Sequence, residues 1–203
     1  MQKGVLLPVF YLGPIEYFSA INSQTSVVKL EKFEHFPKQT YRNRASIYSP
    51  NGILDLIVPV KKGANNHSVI KDVRISYDAD WQRLHWRSLQ TAYRSSSFFE
   101  FYEDDFAPFY HQKTTFLYDF NLQLLKLCLN LLKINASLEE TSEYIKTPAD
   151  YEDVRNAIHP KNRAIDRSSK QYFQVFSEKN GFIPSLSIVD LLFNQGPQSK
   201  QYL

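Results

Sequence analysis

The stretch that decides the fold reads Val5-Leu6-Leu7-Pro8-Val9-Phe10, then Gly13-Pro14, then Ile15-Glu16-Tyr17-Phe18-Ser19-Ala20-Ile21, and then Val27-Val28-Lys29-Leu30. The first and last runs are short and apolar, which indicates two buried strands. Pro14 stands where a helix begins, because proline fits the first turn of a helix but not its interior. Two strands joined through a helix are usually parallel neighbours in one sheet. The sequence therefore predicts an N-terminal βαβ unit.

A second pair of strands is predicted on either side of Ser49-Pro50-Asn51-Gly52, a strong turn signal. Residues 45–48 lead into this turn and residues 53–60 leave it, and the second run alternates its apolar side chains between two faces. Residues 69–75 alternate in the same way. These patterns predict a sheet of about four to six strands that mixes parallel and antiparallel pairs.

Helical patterns dominate the chain after Asp80, a suitable N-cap residue. Helices are predicted over residues 81–94, 100–111, 114–134 and 182–193, and the third is apolar nearly all round, which is typical of a buried helix. Residues 137–180 are polar and are predicted to hold short elements at most. The predicted fold class is α/β, with a mixed β-sheet, an N-terminal βαβ unit and a mainly helical C-terminal half packed on it. An α+β arrangement is the alternative.

Length and composition limit the class of protein. The chain has 203 residues, 43% of them hydrophobic and 15% aromatic, so it is predicted as one domain over residues 1–203. Cys128 is the only cysteine, which excludes an internal disulfide and favours the cytoplasm. Polar side chains interrupt the longest apolar run, so no membrane span is predicted. A net charge of +3 is too small to indicate a nucleic acid partner.

The densest polar segment is Gln39-Thr40-Tyr41-Arg42-Asn43-Arg44, which connects two predicted strands. If the segment is extended, Arg42 and Arg44 point to one side, and Tyr41 and Asn43 point to the other. Two guanidiniums on one face match a diphosphate group bidentately. The alternative is a solvated edge strand whose arginines discourage aggregation.

Further candidate site residues lie outside that segment. Lys61 begins the run Lys61-Lys62-Gly63 at a predicted strand end, where sites occur in open sheets, although a plain charged turn is the alternative. His85 lies on the inward face of a predicted helix with Trp81 and Ser88, where burial and neighbours can bring an imidazole pKa near 7. A hydrogen-bonded core histidine is the alternative there, and His35 is a second candidate base. No histidine has metal-ligand spacing and no glycine-rich nucleotide motif is present, so neither a metal nor a cofactor is predicted.

Five blocks of this sequence resemble the WbqC-like family, in the form carried by Bacteroidetes-type bacteria. They follow the family's order and span nearly the whole chain: residues 7–18, 39–44, 57–60, 80–86 with Tyr93, and 182–194. One departure lies at the end of the first predicted strand. Many relatives have a His-Gln pair before the proline where this chain has Leu6-Leu7. The comparison implies that any activity of that pair is altered or absent here.

The resemblance also implies a role in surface-polysaccharide (O-antigen-type) biosynthesis. The expected reaction adds a small acyl or aminoacyl (glycyl-like) group to a nucleotide-linked amino sugar, without a metal. A non-catalytic accessory protein that binds a glycan or a partner enzyme is the alternative, and a homodimer is compatible with either. In the expected site, the diphosphate is clamped by Arg42, Arg44 and Lys61, and a base or sugar ring stacks on Tyr41 or Trp86. The amine proton is taken by His85 or His35. The oxyanion accepts hydrogen bonds from Gln39 and Asn43.

Overall fold

The N-terminal βαβ unit forms as predicted. The computed structural model describes residues 4–24, 27–61, 67–165 and 170–203. Strand β1 (Gly4–Leu7) ends before Pro8, helix α1 (Ile15–Asn22) follows an extended Pro14, and strand β2 (Val28–Leu30) returns beside β1. The two strands are parallel, with Val5 opposite Val28. Apolar side chains on both strands are fully buried, which is typical of a parallel sheet.

Two short strands complete this sheet from the region that was predicted to hold short elements at most. Strand β5 (Leu138–Glu140) pairs with β2, and strand β6 (Tyr151–Asp153) pairs with β1. All pairs are parallel and the order is β5-β2-β1-β6. The chain leaves β1 towards β2 on one side, whereas β6 lies on the other side. The strand order therefore reverses between β1 and β6, the position where open α/β sheets bind ligands.

The predicted hairpin is confirmed, but it forms a sheet of its own. Strands β3 (Arg44–Ser49) and β4 (Gly52–Ile57) are antiparallel and turn at Pro50 and Asn51. The strand predicted over residues 69–75 is wrong. That segment contains a 3₁₀ turn (Ile70–Asp72) and makes only isolated bridges, such as Val60 with Ile75. Ile70, Val73 and Ile75 are buried there without ladder pairing.

The helical C-terminal half agrees with the prediction, so the α/β class is confirmed. Three helices lie close to their predicted bounds, and the last begins later because Ser185, at φ 54, cannot belong to a right-handed helix. None of the helices in the described ranges has both the length and the apolar character needed to cross a bilayer. The helices after α1 are α2 (Trp81–Tyr93), α3 (Phe99–His111), α4 (Leu117–Leu131), α5 (Ser177–Asn180) and α6 (Ile188–Gln195).

Candidate functional site

A group of buried charged side chains lies at the carboxyl edge of the parallel sheet. Glu31 and Glu34 follow β2, Arg155 follows β6, and Arg42 comes from the segment before β3. Their exposed fractions are 0%, 7%, 5% and 2% respectively. Buried ionic groups are stable only when they are paired and hydrogen-bonded. The contacts among them therefore determine what this edge of the sheet can bind.

Arg42 and Glu34 form a bidentate ion pair. Arg42 Nε donates to one Glu34 oxygen and Nη2 donates to the other, both at 2.6 Å. Arg42 Nη2 also donates to the backbone carbonyl of Arg155 at 3.1 Å, and the guanidinium lies 5.7 Å from the centre of the Phe10 ring. Burial raises the pKa of Glu34, and its bond to Arg42 opposes that rise. The pair holds the Glu34 carboxylate in one orientation.

Arg155 joins three of the parallel strands. Its Nε and Nη2 donate to the Asp153 carboxylate at 2.9 and 2.7 Å, which lowers the pKa of that carboxyl. Its Nη1 donates to Glu31 at 3.3 Å and to the carbonyl of Ile145 at 2.8 Å. Glu31 in turn accepts from the hydroxyl of Thr141, just beyond β5. The ends of β2, β5 and β6 are therefore fixed relative to one another.

A cavity of about 340 Å³ opens at this edge of the sheet. The buried Glu34 and Arg155 line it together with the exposed His35, Tyr144 and Asn156. A carboxylate offers about four acceptor positions, so the two bonds from Arg42 leave acceptor capacity on Glu34. The Arg155 guanidinium lies 5.0 Å from the centre of the Tyr144 ring. A carboxylate, an amide and an aromatic face suit a ligand that carries hydroxyl or amino groups.

The sequence identified one member of this cavity and missed the others. His35 was a candidate base, and it lines the cavity with its ring centre 6.0 Å from that of His67. Glu34, Arg155, Asn156 and Tyr144 were not singled out. The last three lie in the polar region from 137 to 180, which reaches the site through the pairing of β5 with β2 and of β6 with β1. No local pattern marks a three-residue strand of this kind.

The segment from Gln39 to Arg44 is folded into turns and does not form the expected fork. Arg42 is buried against Glu34, whereas Arg44 is half-buried at the start of β3, where its buried Nε has no hydrogen-bond partner among the described residues. Gln39 is exposed at φ 62. Tyr41 is 1% exposed, and Asn43 Nδ2 donates to the carbonyl of Val58 at 3.0 Å. The geometric prediction of two arginines on one open face is therefore wrong.

His85 lies in the core and away from the cavity-lining residues. Its side chain is 6% exposed, and Nδ1 is 2.9 Å from the hydroxyl of Tyr11, which is 3.0 Å from the hydroxyl of Tyr110. Burial lowers the pKa of His85 to about 4, and a hydrogen bond to the carbonyl of Ile57 acts in the opposite direction. His85 is therefore neutral at pH 7 and is a weaker base than an ordinary imidazole.

The remaining candidates lie apart from the cavity as well. Trp86 is 8% exposed, stacks on Tyr110 at 5.3 Å, and lines a different pocket between α2 and α3. Lys61 is exposed after β4, and Lys62 and Gly63 lie outside the described residues. Across the parts of the chain that the structure describes, no three His, Cys, Asp or Glu side chains are grouped as metal ligands. Cys128 is buried, which raises the pKa of its thiol.

The two leucines that replace the expected His-Gln pair lie at the carboxyl end of β1. Leu6 pairs with Asp153 of β6, Leu7 pairs with Leu30 of β2, and both leucines are fully buried. They therefore lie within the sheet, next to the strand ends that carry the cavity. Neither leucine lines the cavity.

These features define an α/β protein with a parallel sheet that carries a cavity where its strand order reverses. The model of the WbqC-like protein family matches residues 10–162, and the chain belongs to this family. It is also similar to the uncharacterized protein Rv1507c of Mycobacterium tuberculosis. The two are 26% identical over an alignment of 231 positions, which covers 100% of this chain and 98% of the relative. No solved structure was found that matches the chain.

Proposed function

We propose that this protein transfers a small acyl or aminoacyl group to the amine of a sugar during surface-polysaccharide assembly. The observation that carries the proposal is the cavity at the switch point of the sheet, where Glu34 and His35 lie beside Tyr144 and Asn156. The matched family segment includes every residue of this cavity. An amino sugar offers hydroxyl and amine donors to the carboxylate and an apolar ring face to the tyrosine.

The cavity residues have distinct roles in this reaction. Glu34 accepts hydrogen bonds from the sugar and orients its amine. The amine nitrogen attacks the acyl carbon, and the new C–N bond forms as the bond to the leaving group breaks. His35 takes the proton that the nitrogen loses and returns it to the leaving group, which departs with the bonding electrons. Asn156 donates to the oxyanion that develops on the acyl oxygen.

These assignments change the expected roles of several residues. His35 replaces His85 as the base, because His85 is buried and hydrogen-bonded to Tyr11. Asn156 replaces Asn43 as the oxyanion donor, because Asn43 Nδ2 is already bonded to the Val58 carbonyl. Arg42 acts through Glu34 as a positioning residue and leaves the diphosphate to other cations.

The experiment is an acyl-transfer assay with nucleotide-linked amino sugars and a panel of activated acyl and aminoacyl donors. We expect His35→Asn to lower kcat about 100-fold or more, in the range for loss of a general base. His159→Asn is the matched control. His159 does not line the cavity, and its ring accepts the Lys161 N–H at 3.1 Å, which an asparagine oxygen can also do. Equal activity of His35→Asn and wild type would remove His35 from the mechanism.

A non-catalytic role in glycan binding is the second candidate. Tyr144 favours it, because its ring is 51% exposed at the mouth of the cavity, as in aromatic platforms for sugars. Binding of amino sugars that Tyr144→Ala weakens, without turnover of any acyl donor, would assign this role.

A further inference from the structure

A second concave surface lies between α2 and α3, apart from the cavity at the sheet edge. Two adjoining pockets of about 410 and 450 Å³ share Arg87 and Gln90. We call this surface the arginine groove. Its members are Asp80, Gln82, Arg83, Trp86, Arg87, Gln90, Thr91, Arg94, Tyr110 and His111.

The floor of the arginine groove is rigid. Gln82 is 8% exposed, and its Nε2 donates to the backbone carbonyls of Phe109 and Gln112 at 2.9 and 2.6 Å. Trp86 stacks on Tyr110 with ring centres 5.3 Å apart. These contacts fix α2 against α3, so the groove holds one shape without a ligand.

The wall of the groove is cationic. Arg83, Arg87 and Arg94 are exposed along one side of α2, over a length of about 16 Å at 1.5 Å per residue. The pairs Arg83–Asp80 and Arg94–Glu103 are long, at 3.7 and 3.9 Å, and their arginine side chains are 62% and 66% exposed. An exposed pair such as Arg83–Asp80 contributes about 0–1 kcal/mol, so an anion can displace the Asp80 carboxylate. Glu103 is 24% exposed and also accepts from Gln90 Nε2 at 2.9 Å, so it stays in place beside Arg94.

Arg87 lies at the centre of this wall. No salt bridge joins it to an acidic side chain anywhere in the described ranges. It follows Arg83 by about one helical turn, about 6 Å along the axis, so the two guanidiniums lie on the same side of α2 and can contact one diphosphate together. A guanidinium with free donors, on a fixed floor and between two weakly paired arginines, suits a ligand of high charge density.

We propose that the arginine groove binds the diphosphate or phosphate group of an anionic ligand. Two sources share this chemistry, a nucleotide and a phosphorylated lipid carrier. The groove offers guanidinium donors to a phosphate, which Arg42 does not, because its guanidinium is bound to Glu34. The proposal does not require acyl transfer, because none of the groove residues lines the Glu34 cavity.

The test is calorimetric binding to the full chain of three probes: inorganic pyrophosphate, uridine diphosphate, and vesicles that carry a polyprenyl phosphate. We expect at least one probe to bind, with affinity that falls as salt rises. Arg87→Ala should weaken binding at least ten-fold, and Arg83→Ala with Arg87→Ala should abolish it. Arg74→Ala is the matched control, since Arg74 is an exposed arginine outside the groove. His35→Asn should leave phosphate binding unchanged, which separates this proposal from the acyl-transfer mechanism.

The three probes also identify the source of the phosphate. Stronger binding of uridine diphosphate than of pyrophosphate supports a nucleotide, and binding to the vesicles alone supports a lipid carrier. Indifference to all three probes would overturn the proposal. So would an equal loss of affinity in Arg74→Ala and Arg87→Ala, because the effect would then be one of net charge. Thermal melts of every variant show that the fold is intact, as expected for exposed side chains.

Discussion

Replacement of Arg42 by methionine tests whether this arginine stabilises the fold or binds a ligand. Methionine keeps an unbranched apolar stem and removes the guanidinium with its charge and donors. The variant loses two hydrogen bonds to Glu34 at 2.6 Å and one to the carbonyl of Arg155 at 3.1 Å. The Glu34 carboxylate stays buried without its cation.

The expected loss of stability is large. The side chains of Arg42 and Glu34 are only 2% and 9% exposed, so solvent does not replace the lost contacts. Removal of one partner of a buried pair costs about 3–5 kcal/mol. For a chain of this size that corresponds to a decrease in Tm of about 6–20 °C. Arg42→Met combined with Glu34→Gln should cost less than the sum of the two single changes, because no buried charge is then unpaired.

The assay is urea unfolding followed by tryptophan fluorescence, at pH 5 and pH 7. Burial already raises the pKa of Glu34, and loss of Arg42 removes a contact that opposes that rise. A carboxyl group whose pKa is raised in the folded state makes the protein less stable as pH rises. The loss of unfolding free energy in Arg42→Met should therefore be smaller at pH 5 than at pH 7. A deficit below about 1 kcal/mol, the range of exposed pairs, would refute this reasoning and favour Arg42 as a ligand clamp.

Two further predictions concern titration and backbone conformation. Burial raises the pKa of Asp190 to about 6 and lowers that of His85 to about 4. Titration of Asp190 therefore lowers the free energy of unfolding by about 3 kcal/mol as pH rises from about 4 to 6. Titration of His85 raises it by a similar amount as pH rises from about 4 to 6.5. The two slopes should nearly cancel in the wild type in urea unfolding, whereas Asp190→Asn should become less stable on acidification and His85→Gln more stable. A wild-type slope that neither change alters would contradict this. Gly196→Ala should be much less stable by thermal melting than Gly181→Ala. Both glycines have positive φ, but a Cβ at Gly196 overlaps the Phe98 ring and one at Gly181 meets open space; equal losses would exclude the overlap as the cause.

Local patterns predicted the parts of the fold that are local in origin. The βαβ start, the hairpin at Pro50 and Asn51, and the bounds of α2 to α4 follow from apolar period, turn residues and proline position. Strands β5 and β6 have three residues each and few apolar side chains, and their stability comes from pairing with β2 and β1. Pairing over such separations leaves no local signal. The cavity residues after β6 were therefore not predictable from the sequence.

The segment from Gln39 to Arg44 has the composition of a ligand-binding motif, but it connects neighbouring parts of the fold. Charged and amide side chains are usually exposed, so its composition indicated an open site. In the fold, the carbonyl of Tyr41 accepts from the Tyr11 N–H at 2.9 Å and the carbonyl of Arg42 accepts from Asn121 Nδ2 at 2.7 Å.

These bonds tie the segment to the loop after β1 and to α4, while the Arg42 side chain fixes Glu34 at the cavity. The segment therefore contributes to function by holding Glu34 in position at the cavity. A change in it should lower stability and ligand binding together, whereas a change at His35 or Asn156, both exposed at the cavity, should lower activity at constant stability.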